Sequence, residues 1–308
     1  MNIIRPEHLE KGDTIGIIAP SGPFHVKDLE KSIPFFKELG LNIIYGEHLY
    51  ETYGYLAGSD DQRLHDFNTM INDDTIKAIV FARGGYGVGR IVPRMDFGTI
   101  QAHPKVIWGY SDITYLHTAI RQKTGLVTFH GPMAASDVGK NDFDDLSKGM
   151  FQQLFEPSEL IYNESVSPLE VYADGEATGR LVGGNLSLLV STIGTPYEID
   201  TTGKLLLIED IGEMPYQVDG MLQQLKQAGK FDALKGVVIG DFANTEPDDL
   251  ERSLTLKQVF HDYFHDQHFP VVGGFKIGHC MPHFALPLGV NAALSARKRT
   301  LTVDAGVK

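Results

Sequence analysis

The feature that most constrains this chain is its alternation of short β-branched runs with amphipathic stretches, the runs ending at turn residues. Thr14–Ala19 (TIGIIA) is a nearly continuous apolar run that stops at Pro20-Ser21-Gly22-Pro23. Such a run suits a strand buried on both faces, as in a parallel sheet covered by helices. Residues 26–39 follow with Val26, Leu29, Ile33, Phe36 and Leu39 at helical spacing, Pro34 inside the pattern and Gly40 at the C′ position. Leu41–Tyr45 reads as a second strand. Ser59-Asp60-Asp61-Gln62 then opens a helix as a capping box does, with Leu64, Phe67 and Ile71 on one face. Ile76–Ala82 and Lys105–Trp108 are two more buried strands, each ending in a glycine-containing turn. Strands alternating with helices predict a parallel sheet with right-handed crossovers. In such sheets ligands lie beyond the carboxyl ends of the strands, so the loops at 20–23, 83–90 and 109–112 should meet.

Between about residues 140 and 178 the texture changes to KNDFDDLSKG and YNESVSPLEVYADGEATG, as expected where a chain crosses between domains. Further strands are expected at 204–208, 235–239 and 298–303, with a helix near 216–228. A length of 308 residues fits two domains. The expected fold class is α/β, with an N-terminal parallel-sheet domain over 1–160, a linker over 161–177, and a smaller, β-rich C-terminal domain over 178–308. With 27 Lys+Arg against 40 Asp+Glu, the net charge of −13 disfavours nucleic acid or an anionic membrane as the main partner. The single cysteine, Cys280, excludes an internal disulfide and a Cys₂ or Cys₄ zinc site. No h-region opens the sequence and no run of about 18 apolar residues occurs, so the expected location is the cytoplasm.

Four segments could carry chemistry. In Ile107-Trp108-Gly109-Tyr110-Ser111-Asp112-Ile113 a buried strand runs into a helix through a serine. Ser111 there is either a helix N-cap or a hydroxyl projecting where the helix N-terminus favours a developing oxyanion. Ile113 breaks the G-x-S-x-G elbow pattern. Arg83-Gly84-Gly85-Tyr86-Gly87-Val88-Gly89-Arg90 follows a strand; it fits a phosphate cradle or a second oxyanion donor, but matches neither the dinucleotide nor the P-loop pattern. Leu206–Glu213 ends a strand in the carboxylates Glu209, Asp210 and Glu213. His279, Cys280 and His283 lie on a Gly/Pro loop and could together bind a metal, although no further thiolate completes a soft site. His261, His265 and His268 have ligand spacing too, but lack the glutamate of H-E-x-x-H and read as a solvated helix face. A serine nucleophile needs a base, and the base needs an acceptor that fixes its tautomer. Ser111, His279 and Glu209 supply those roles with no metal, and the implied reaction is acyl transfer to water.

At these residues the chain resembles the LD-carboxypeptidases, serine peptidase family S66. The shared segments run nearly end to end: GDTIGIIAPSGP, ARGGYGVGR, GYSDIT, TFHGPM, GRLVGGNLSLL, LLLIEDIGEMPYQVDGML and GHCMPHFALPLGV. The resemblance implies a triad of Ser111, Glu209 and His279, with Glu213 as the other candidate for the acid or as a substrate contact. It implies an oxyanion hole from the backbone N–H of Asp112 and of Gly85 or Gly84. It also implies an N-terminal α/β domain resembling class I glutamine amidotransferases, and a C-terminal domain that supplies Glu and His. The substrate it implies is a murein tetrapeptide, losing its terminal D-Ala at the bond after an L-centre, with no cofactor. Arg83, Arg180 and Asn185 are further candidate substrate contacts. Family members are commonly homodimers. Related members inactivate microcin C-type aminoacyl-nucleotides, but those are generally longer, and the E-D-x-G-E-x-P-Y segment favours the peptidoglycan branch. Two other classes compete: a glutamine amidotransferase, which would need cysteine at 111, and a nucleotide- or solute-binding module, which would not need the three triad residues.

Overall fold

The computed structural model describes residues 2–247 and 249–308. They form two compact units, the first taking the chain up to Ser158 together with Met281–Gly289 and Ala305–Lys308, the second holding Glu159–Cys280 and Val290–Asp304.

The first unit runs β1 (Thr14–Ile18), α1 (Val26–Glu38), β2 (Asn42–Tyr45), α2 (Asp60–Asn72), β3 (Ile76–Phe81), α3 (Val88–Ile91), α4 (Phe97–Ala102), β4 (Val106–Trp108), α5 (Ile113–Thr124), β5 (Thr128–His130) and α6 (Asp145–Gly149). A returning strand, Leu286–Leu288 (β12), completes its sheet. The order is β12-β5-β4-β3-β1-β2, with β1 to β5 parallel and β12 antiparallel to β5. Ile15, Ile17, Ile79, Val80, Ile107 and Trp108 are all buried, which is why these runs are apolar throughout. Ser59 and Gln62 make the expected capping box of α2, and Gly125 ends α5 at φ 79° in the left-handed region.

The second unit contains β6 (Leu160–Tyr162), β7 (Glu170–Ala173), β8 (Glu176–Asn185), α7 (Leu186–Ser191), β9 (Lys204–Ile211), α8 (Pro215–Gln227), β10 (Gly236–Ala243), α9 (Leu256–Phe264), β11 (Val271–Gly273), β13 (Asn291–Ser295) and β14 (Thr300–Val303). Its sheet order is β6-β14-β13-β8-β9-β10-β11-β7. The four central strands, β8 to β11, are parallel, and antiparallel strands flank them. Leu189, Leu222, Leu225 and Phe264 from the three helices pack on Val182, Leu206, Val237 and Val271 of the strands. This β-rich part therefore has a parallel α/β centre of its own.

Two boundaries differ from expectation. Residues 161–177 are not a linker, because β6 pairs with β14 and β7 with β11 in the second unit's sheet. Nor does the second unit keep all of 178–308. β12 pairs with β5, and Lys308 exchanges backbone bonds with Pro6 and His8, so both segments belong to the first unit. No helix among the described residues is long and apolar enough to cross a membrane.

Candidate active site

In the first unit, β4 hands the chain to α5 through Gly109-Tyr110-Ser111-Asp112. Ser111 sits at φ +64°, a region that L-residues with a side chain rarely adopt and that stores strain. It is not the N-cap. Asp112 holds that position and makes no side-chain cap bond. The Nε2 of buried His117 donates to the Gly109 carbonyl at 2.8 Å, and burial pushes this imidazole down to about 3, so it is neutral and holds the turn as a donor. Gly109 itself is tight: a Cβ there would fall 2.7 Å from Phe81.

The loops at 20–23 and 83–90 meet this turn. Gly22 N–H donates to Gly84 O at 3.1 Å. Fully buried Arg63 donates to the carbonyls of Pro20 and Gly87, tying the two loops together. The Asp112 carboxylate reaches back to accept the Val88 N–H at 3.0 Å. A Cβ on Gly84 would lie 3.0 Å from Ser111 Oγ and 2.9 Å from its Cβ, so only glycine lets this backbone lie against the serine. Gly85 has φ +116° and packs on Gly22. Among the described residues, the backbone N–H groups of Gly84, Gly85 and Asp112 have no protein acceptor.

Burial raises the Asp112 carboxyl to about 6, against the opposing pull of the Val88 N–H, Ser21 and the Arg63 guanidinium. A carboxyl near 3.8 when unfolded and near 6 when folded binds more protons in the native state between those values. Its contribution to stability is full below about pH 4 and falls by about 3 kcal/mol as pH rises through 6. Asp112→Asn keeps an acceptor for Val88 and removes the buried charge. From about pH 4 to 7, urea unfolding should therefore show the variant gaining on the parent by about that amount. A pH-independent difference would refute this account of Asp112.

The second unit positions the other two residues. Glu209 and Asp210 are the last two buried residues of β9, and Glu209 Oε2 is 2.7 Å from His279 Nδ1, with Glu209 fully buried and the His279 side chain 13% exposed. A Cβ on Gly278 (φ +118°) would fall 2.4 Å from Glu209 Oε2, and one on Gly240 3.1 Å from Glu209 Cβ. Two glycines thus clear the space this carboxylate fills. A carboxylate accepting at Nδ1 fixes the tautomer that carries its proton there.

Of the candidate substrate residues, Arg83 donates to Pro23 O at 2.7 Å and lines a cavity of about 580 Å³ with Gly22, Pro23, Tyr55, Gly85 and Tyr86. Asn185 faces Glu209 in the β8–β9 register, but its side chain caps α7 and donates to Asp210. Glu213 follows the Gly212 turn, and burial, then the neighbouring Asp210, raise its pKa. Arg180 pairs with Lys204, five residues before Asn185. That is roughly 16 Å along the strand, so the register carries it away from the Glu209 end. His283 is buried in the first unit against Tyr110 and His130, and among the described residues His279, Cys280 and His283 form no grouping of potential metal ligands. His261 and His265 stack on each other and, like His268, are exposed.

Sequence reasoning missed the Asp112 carboxylate and the Arg63 clamp. Nothing near either residue in the chain names its partners, the Val88 N–H for Asp112 and the carbonyls of Pro20 and Gly87 for Arg63.

A strained serine beside unpaired N–H groups, and a carboxylate-bound imidazole, are the parts from which serine hydrolases are built. The chain belongs to the LD-carboxypeptidase family, peptidase S66. The family descriptions "LD-carboxypeptidase N-terminal domain" and "LD-carboxypeptidase C-terminal domain" match residues 15–131 and 178–294. It is 52% identical to the "Probable murein peptide carboxypeptidase" of Bacillus subtilis, over 98% of this chain and 95% of that protein. Among solved structures, a muramoyltetrapeptide carboxypeptidase from Oxalobacter formigenes matches with TM-score 0.84 and 29% identity, over 95% of this chain and 98% of that one. The apo microcin C7 self-immunity protein MccF matches with TM-score 0.90 and 26% identity, over 99% and 100%.

Proposed function

We propose that this protein is a serine LD-carboxypeptidase that removes the terminal D-Ala from murein tetrapeptides, with Ser111 as nucleophile, His279 as general base and Glu209 as its orienting acid. The observation that carries the reading is the 2.7 Å bond between His279 Nδ1 and fully buried Glu209, which presets the imidazole for proton transfer at Nε2. Ser111 Oγ attacks the scissile carbonyl while His279 takes its proton. The oxyanion is held by the N–H of Asp112 and of Gly84 or Gly85, groups with no other partner among the described residues. The imidazolium then protonates the departing D-Ala amine, and water, deprotonated by the same histidine, releases the acyl group.

Identity of 52% across nearly the whole chain supports a murein peptide over an aminoacyl-nucleotide, since the microcin C7 immunity protein shares 26%. Mass spectrometry of a murein tetrapeptide incubated with the protein should show loss of one alanine. No such loss, with cleavage of an aminoacyl-nucleotide instead, would move the protein to the other branch.

A carboxypeptidase must pair the free carboxylate of its substrate, or that charge is desolvated without return. Arg83, beside the 580 Å³ cavity, is the candidate partner. Amidating the substrate's C-terminus should cost about 2–3 kcal/mol in kcat/KM, the scale of a charged hydrogen bond. Equal cleavage of the amidated peptide would remove carboxylate recognition from the scheme. A homodimer in the cytoplasm completes this reading, with light scattering on the purified protein as the check on assembly.

A further inference from the structure

Outside the residues used above, the first unit carries a second cluster of ligating side chains. Glu47 and His48 follow β2 directly after Gly46, and His65 lies on α2. One donor atom from each of Glu47, His48 and His65 lies within 4.8 Å of the other two. Glu47 Oε2 and His65 Nε2 are 3.4 Å apart. The two imidazoles meet edge-on at 88°, with centroids 5.3 Å apart. The Glu47–His65 distance and the ring separation match ligands around one tetrahedral ion, and the 4.8 Å bound leaves His48 within a small side-chain shift of the same point. With metal–ligand bonds of about 2.0–2.1 Å, neighbouring donor atoms stand roughly 3.4 Å apart and two ligating imidazoles hold their centres roughly 5 Å apart.

A second observation concerns Asp66, whose side chain is 4% exposed. Its carboxylate accepts from His48 Nδ1 at 2.8 Å and from the His48 backbone N–H at 3.1 Å. Gly46 makes room for it, since a Cβ there would fall 2.3 Å from Asp66 Oδ2. A carboxylate on Nδ1 turns the Nε2 lone pair of His48 outward, the arrangement that orients metal-bound imidazoles. A desolvated carboxylate is costly unless it is hydrogen-bonded, and the bonds that Asp66 accepts come from His48, so its burial is tied to the placing of that ring.

We infer that Glu47, His48 and His65 form a zinc site, with Asp66 orienting His48 and water as the fourth ligand. Imidazole and carboxylate donors without thiolate suit zinc. His48 and His65 bracket the segment that carries Tyr55, so bound zinc would pin both ends of a wall of the Arg83 cavity. The reading does not depend on the proposed hydrolysis.

The test is zinc titration of EDTA-treated, dialysed protein against a chromophoric chelator, with melting curves alongside. One zinc per chain and a zinc-dependent rise in Tm are expected. His65→Ala and Glu47→Gln change exposed side chains, so both variants should fold; each should weaken binding at least about tenfold and remove the Tm rise. The double change His261→Ala/His265→Ala, at the exposed pair at the C-terminal end of α9, should alter neither readout. Wild-type binding no tighter than that of His65→Ala, or binding lost only with the α9 pair, would overturn the assignment.

Discussion

Ser111→Ala should abolish peptide hydrolysis, by about 10³-fold or more, and leave the fold intact. The serine sits in a turn rather than a packed core, so losing one oxygen opens little cavity, and the substituted alanine would occupy the same φ of +64°. His279→Ala should cost nearly as much, because nucleophile and base act as a unit. Ser111→Gly adds a sharper readout. Glycine relieves the positive φ, so this variant should be inactive yet more stable than Ser111→Ala, by about 1 kcal/mol in urea unfolding. Turnover surviving without the Ser111 hydroxyl would end the proposed mechanism. A glycine variant no more stable than the alanine one would show that the turn stores no strain.

Glu209→Gln should lower kcat by roughly 10⁴-fold, through the tautomer and not through loss of charge alone. The amide can turn its NH₂ toward His279 Nδ1, which then accepts, leaving the proton on Nε2 where the base must be free to act. Glu213→Gln should alter KM more than kcat, since Glu213 lies beyond the Gly212 turn and is not the carboxylate bonded to His279. Measuring kcat and KM for both variants tests the assignment. Loss of kcat in Glu213→Gln with retention in Glu209→Gln would hand the acid's role to Glu213. The Ser-His chemistry would stand.

What could be read from the sequence was local. The capping box at Ser59, the Gly40 stop and the buried runs of β1, β3 and β9 are decided by neighbours in the chain, so spacing reveals them. The turn at Ser111 and the carboxylate at the end of β9 were visible for the same reason. Features set by pairing across long separations were not. β6 and β7 are short and only partly buried, so their polar residues read as a linker until β14 and β11 supply the partners. Arg180 and Asn185 share one motif, GRLVGGN, yet an extended strand sets them roughly 16 Å apart. Nothing local to Asp112 says that its carboxylate meets an N–H 24 residues earlier.

The returning strand β12 has a consequence for how the protein is made. Its partner β5 ends at His130, yet Leu286–Leu288 leave the ribosome about 150 residues later. While the chain grows, β5 presents an open hydrogen-bonding edge, the kind of surface that recruits strands from other molecules. Synthesis must pass through nearly all of the second unit before the first can close its sheet. A stalled or C-terminally clipped chain would therefore emerge with that edge uncovered, and be more prone to aggregate than its hydrophobicity alone suggests.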